Sequence, residues 1–257
     1  MTKKPRIKPV DVVFTGLIWA YMGVIYGVVF IGLVRFFEQV SWPVLPEIPA
    51  AALSGAIGAV FYGSMQLTVF AAMAGTLASF GFLALAPGPV HPLHMLGASA
   101  LGGLLVGAAY GHKFKSSRVY RADAKMVAGL CAGIISSALL SLLFILAGRL
   151  PIWATAMILC GVTGFVYSVI VRGLINRLHD LLPPAGDGAV VGAGVAGFVG
   201  LMIWVMVAEL HSVYTGPYTV LAHNVLERLP HAAGGAALGG ALAGVVGALL
   251  GKGAQDL

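Results

Sequence analysis

The chain has 257 residues, of which 59% are hydrophobic and only 9% charged, and its mean hydropathy is +0.96. That composition excludes a soluble globular domain and describes an integral membrane protein whose first partner is a lipid bilayer. The net charge of +6 and isoelectric point near 9.5 do not indicate nucleic acid, because the basic residues sit in short loops between apolar runs, where a bilayer surface explains them.

The basic opening "TKKPRIKPVD" leads into an apolar run, 12–35, that is longer than a signal-peptide core and has no small-residue cleavage pattern. It therefore stays as the first membrane span. Further runs of about the length a helix needs to cross the hydrocarbon follow at 51–72, 93–112, 124–147, 152–176, 188–209 and 232–250. Breakers punctuate them at "SWPVLPEIP", "APGPVHP", "GRLP", "LLPPAGDG" and "TGPY". Short alternating segments of the kind that build a β-barrel are absent. The expectation is an all-α, multi-pass protein of about seven transmembrane helices, placed in a bacterial inner membrane.

A phrase recurs along the chain. "HMLGASALGGLLVG" begins at His94 and "HAAGGAALGGALAG" at His231. At this constant offset Gly97, Gly103 and Gly107 fall on Gly234, Gly240 and Gly244. The same offset carries Gly55 to Ala71 onto Gly192 to Ala208, and a small loop change brings Gly23 to Leu33 onto Gly164 to Leu174. The pattern predicts two parallel three-helix repeats, 1–120 and 151–257, joined by a connector helix within 121–150. Parallel units with an odd number of spans are related by an axis along the membrane normal.

Orientation raises a conflict. The densest basic loop, "HKFKSSRVYRADAK", belongs in the cytoplasm, and seven spans then put Lys3, Lys4, Arg6 and Lys8 outside. Splitting 50–86 into two spans removes the conflict, but the apparent copy at 192–208 runs straight through. Seven spans are expected on that ground, with 73–91 and 211–229 as interfacial or re-entrant segments.

Few residue types remain for chemistry. Cys131 and Cys160 lie in apolar segments and read as small core residues. Glycines spaced by four, as at Gly103, Gly107 and Gly111, let helix backbones approach closely. His91, His94, His211, His223 and His231 fall on one face of the membrane, and neutral imidazoles ligate a metal ion or haem. No HxxxH, CxxC or HExxH spacing accompanies them. All the Asp and Glu residues sit in loops or near span ends, which disfavours a proton- or sodium-coupled pump. Ser/His/Asp and paired-carboxylate arrangements are absent, which disfavours a hydrolase and leans against an enzyme.

The polar side chains at mid-depth single out Tyr26, Gln66, Thr68 and Tyr167 as a substrate pathway. Three functions follow. The first is a channel or facilitator for a small solute or ion at the interface of the two repeats. The second is an accessory haem- or metal-binding subunit of a membrane redox complex. The third is a ligand-free scaffold whose glycine faces pack in a homo-oligomer or against other membrane subunits.

Overall fold

A computed structural model describes residues 9–40, 43, 45–86, 90–113, 122–177, 182–215 and 219–250, the side chains of 177 and 208–226 apart. Its described residues form helices and no strand: α1 (Pro9–Gln39), α2 (Glu47–Gly63), α3 (Met65–Leu85), α4 (Pro92–Lys113), α5 (Ala122–Ala147), α6 (Ile152–Arg177), α7 (Pro184–Thr215) and α8 (Thr219–Leu249). Seven of them are long and apolar enough to cross a bilayer. The eighth, α2, has 17 residues and so spans roughly 25 Å, the lower end of what a crossing needs. Large apolar side chains face outward, among them Leu77, Phe80, Leu101, Leu105 and Ile145. Small ones face inward, the reverse of a protein built for water.

Glycine sets the helix pairs. The most extensive are α4 on α7, α1 on α8 and α2 on α5. A Cβ on Gly103, Gly107 or Gly111 would strike the backbone of Gly192, Gly188 or Pro184. Gly23 and Gly27 stand in the same relation to Ala236 and Ala232, and Gly133 and Gly129 to Ala51 and Gly55. These registers make all three pairs antiparallel, whereas Gly235 against Trp153 and Gly239 against Met157 make α6 and α8 parallel. Hydroxyl pairs add polar ties inside the bundle, Ser79 with Ser99 at 2.7 Å between α3 and α4, and Ser136 with Thr163 at 2.6 Å between α5 and α6.

The span expected at 51–72 is broken. Ser64 leaves helical geometry at φ −152° and ψ 50°, its N–H closing α2 on Val60 O at 2.8 Å while its carbonyl accepts from Thr68 N at 3.1 Å to start α3. The Thr68 hydroxyl also donates to Ser64 O at 3.0 Å, and Lys125 Nζ donates to the Gly63 carbonyl at 3.3 Å. A Gly/Ser pair is a known locus for such a break, and these donors satisfy carbonyls that the interruption frees. Residues 65–85, of which 73–85 had been expected at the interface, are instead a helix able to cross. Most of the matching segment 211–229 lies outside the described side chains.

Neighbour registers fix the direction of every helix. α3 is antiparallel to α4, through Tyr110 with Gln66 and Ser99 with Ser79, and α4 is antiparallel to α7. α5 runs with α7, since Asp187 meets Ala122 and Gly194 meets Met126. The eight helices therefore alternate, α2 and α3 included, and Pro9 and Leu249 lie at the same end. Of the helices that the sequence repeat aligns, α4 and α8 run the same way and α1 and α6 run in opposite directions, so the packing does not confirm two parallel three-helix units. Among the described segments, Lys113, Lys125, Arg172 and Arg177 belong to the end that carries Pro9, and Arg35, Arg149 and Arg228 to the other. An eight-span count of the whole sequence would put twelve Lys and Arg on the first side against three, so the charge conflict belongs to the seven-span count.

One carboxylate is buried. Asp187, near the start of α7, accepts Asp123 N–H at 2.8 Å and Ala122 N–H at 3.2 Å, capping the first turn of α5 from a neighbouring helix. Negative charge at a helix N-terminus is favourable, which accounts for an acid inside an apolar bundle.

Candidate functional site

Three helices each bring a seven-residue spacing to one hollow. On α1 it is Trp19 and Tyr26, on α2 Gly55 and Tyr62, and on α6 Cys160 and Tyr167. Seven residues are about two turns, so each pair shares a helix face, with Gly58, Ala59 and Thr163 between them. The hollow encloses about 60 Å³. By the size of a water site that is room for roughly four to six water-sized positions.

Small residues make the room. Gly23 and Gly55 have their backs against α8 and α5, where a Cβ would meet Ala236 and Gly129. Gly164 accommodates the Trp19 ring. Gly58 differs from all of these, since a Cβ built there meets nothing within 4 Å. Its missing side chain is therefore not required by helix packing.

The polar tips are unusual. Trp19 Nε1, Tyr26 Oη and Tyr167 Oη are all buried and have no hydrogen-bond partner among the described residues. Their side chains are only 9%, 4% and 5% exposed, so bulk water does not serve them. The Tyr26 phenol lies beside the Thr163 hydroxyl, which also bonds Ser136 and keeps a lone pair that the phenol can use. A buried polar group left unpaired costs about 1–3 kcal/mol, and the wall that the hollow itself presents is almost wholly apolar. Trp19 and Tyr62 pack at a ring separation of 5.8 Å and a 45° tilt, while Tyr26 stacks on Phe30 at 6.2 Å. These contacts fix the rings that carry the tips. The described lining contains no charged side chain.

Of the four pathway residues read from sequence, Tyr26 and Tyr167 meet at this hollow. Gln66 and Thr68 do not. Gln66 Oε1 accepts the Tyr110 hydroxyl at 2.9 Å as a tie between α3 and α4, and Thr68 serves the backbone break at Ser64. Trp19 and Gly58 escaped the sequence reading, although Trp19 lies seven residues before Tyr26 and that spacing was available.

Among the described residues, His91, His94 and His231 do not form a metal-ligating group. His91 and His94 are exposed neighbours with ring centroids 5.8 Å apart, and His91 Nδ1 accepts the Leu93 N–H at 3.3 Å. His231, on another helix, has its Nδ1 at 3.0 Å from its own helix's Glu227 carbonyl. No group of three metal-ligating side chains occurs among the described residues, and His211 and His223 lie outside the described side chains.

Comparison with known proteins gives no match to a family model, to a curated protein or to a solved structure.

Proposed function

We propose that this multi-pass membrane protein is a facilitator for a small, neutral, polar solute, with the hollow between α1, α2 and α6 as its binding waist. The observation that carries the reading is that Trp19, Tyr26 and Tyr167, three aromatic residues with buried polar tips, all line one small hollow. Two phenols donate or accept and the indole donates, so a hydroxyl, carbonyl or amide solute finds partners for both roles. With no charged side chain in the described lining, an ion would enter without compensation at a heavy desolvation cost. Site volume limits the solute to a few heavy atoms. No carboxylate sits in the hollow to couple its passage to a proton or sodium gradient, so movement is downhill.

Proteoliposomes carrying the full chain provide the test. Stopped-flow light scattering after an osmotic step should show faster entry of small neutral solutes such as urea, formamide or glycerol than protein-free vesicles allow. Gly58→Leu should abolish the difference, because Gly58 lines the hollow and a Cβ there meets nothing within 4 Å, so the new side chain has that space to enter. Flux that equals the protein-free background for all these solutes, or that ignores Gly58→Leu, overturns the reading. Conductance of an ion that Gly58→Leu blocks would overturn its neutral-solute part.

A further inference from the structure

The opposite end of the bundle from Pro9 holds a second hollow, of about 280 Å³, where the start of α2, the turn between α5 and α6 and the first apolar turns of α8 meet. Its lining includes Glu47, Arg149, Thr155 and Arg228, flanked by the apolar Phe144 and Ile152. Three charged groups thus surround one space at the ends of apolar helices.

They do not neutralise one another. Neither Arg149 nor Arg228 makes an ion pair or hydrogen bond among the described residues. Glu47 Oε2 is buried and likewise unpartnered. The Thr155 hydroxyl, itself buried, donates to Leu150 O at 3.4 Å and keeps its lone pairs free. Two guanidiniums offer fork-shaped donors that suit phosphate or carboxylate oxygens, and a carboxylate oxygen shut from water calls for a charged N–H donor. A simple anion would satisfy the arginines and leave Glu47 unpaired. A simple cation would do the converse.

We propose that this hollow binds a zwitterion, its anionic oxygens between Arg149 and Arg228 and its ammonium against Glu47. The site is separate from the aromatic cavity and does not depend on that cavity's function. Two sources carry this chemistry: the headgroup of an aminophospholipid in the surrounding leaflet, and a free zwitterion in solution.

Native mass spectrometry of the full chain, released from detergent with equal amounts of phosphatidylethanolamine, phosphatidylcholine and phosphatidylglycerol of matched acyl chains, tests the lipid source. Calorimetric titration with O-phosphoethanolamine tests the soluble one. Phosphatidylethanolamine should be retained in preference to the other two. Replacing Arg149 and Arg228 together with Ala should reduce retention roughly tenfold or more, as the loss of charge-assisted hydrogen bonds implies. Glu47→Gln should keep phosphatidylglycerol binding and erase the preference for the primary amine over choline. Should the double variant fail to fold by circular dichroism, Arg149→Lys, which keeps the charge and loses the fork, should still weaken retention. O-phosphoethanolamine binding with the same response to the variants, and no lipid preference, would assign the site to the soluble source. Wild-type protein that neither prefers the amine lipid nor binds O-phosphoethanolamine overturns the proposal, as does a preference that both Glu47→Gln and the arginine variants leave intact.

Discussion

Tyr26 of α1 and Tyr167 of α6 line one cavity from two helices, each with its hydroxyl buried. Folding gains nothing from an unpaired buried hydroxyl, so its removal separates stability from function. Tyr26→Phe and Tyr167→Phe should leave the melting temperature unchanged or raise it, by an amount corresponding to no more than about 1 kcal/mol. Each should also slow solute entry by roughly two- to tenfold, the value of one lost hydrogen bond to the passing molecule. Variants that lose stability and transport in step would show that the hydroxyls serve the fold, and the binding waist would lie elsewhere.

Glycine supplies the second prediction. Gly107 and Gly97 lie on the same helix, but a Cβ at Gly107 collides with the backbone of Gly188 while one at Gly97 meets nothing within 4 Å. Gly107→Ala should therefore destabilise the protein by roughly 1–3 kcal/mol, an overpacking effect, in thermal unfolding of the detergent-solubilised chain. Gly97→Ala should be neutral or stabilising by up to about 1 kcal/mol, since alanine is the better helix former. Equal melting curves for the two variants would refute the assigned contact between α4 and α7.

How much of this was legible in the sequence varies with the physics behind each feature. Length and apolarity mark a membrane helix directly, so most helices fall close to their expected bounds. The small residues of "HMLGASALGGLLVG" and "HAAGGAALGGALAG" were also informative, for Gly103 and Gly240, and Gly107 and Gly244, are tight contacts in both copies, whereas Gly97 and Gly234 are open in both. The two helices that carry the phrase, α4 and α8, meet the same close-packing demand against α7 and α1 and run the same way, but the extended match does not keep direction, since α1 and α6 point opposite ways. Hydropathy is equally silent about the break at Ser64, because apolar residues continue on both sides and no proline intervenes. There the Gly63–Ser64 pair was the local signal, outweighed by the match to an unbroken copy. Tyr26 and Tyr167 could be chosen for polarity at mid-depth. That Gln66 and Thr68 belong to other contacts depends on which helices meet, information that a single helix's periodicity does not contain.

Asp187 supplies a third prediction. Its carboxylate is the partner of two N–H groups at the start of α5, and nothing on α5 itself replaces it for Ala122. Asp187→Ala should cost about 1–2 kcal/mol, the usual penalty for losing a cap. Asp187→Asn should recover part of this, since its amide oxygen still accepts one bond. Destabilisation should show first as faster hydrogen exchange in the opening turn of α5, and unchanged exchange there would exclude the capping role.

The final prediction concerns direction across the membrane. With eight alternating helices, single cysteines introduced next to Pro9, at Met65, at Lys113 and next to Leu249 should share one side of the membrane, and cysteines at His91 or Arg149 the other. An eight-span count of the sequence gives twelve Lys and Arg on the first side against three, which the positive-inside rule reads as cytoplasmic. Labelling intact cells with a membrane-impermeant maleimide should therefore modify only the second group, and lysed cells should yield both. Met65, 58% exposed at the start of α3, decides between arrangements, because a single span through 51–72 would hold it in the hydrocarbon and protect it even after lysis. Replacing Lys3, Lys4, Arg6 and Lys8 with Gln should leave the orientation in place, since eight of the eleven Lys and Arg that remain are still on the first side of that count. Labelling of Met65→Cys from outside intact cells would reverse the bundle in the membrane. Protection of that cysteine under both conditions would instead restore an unbroken span through 51–72.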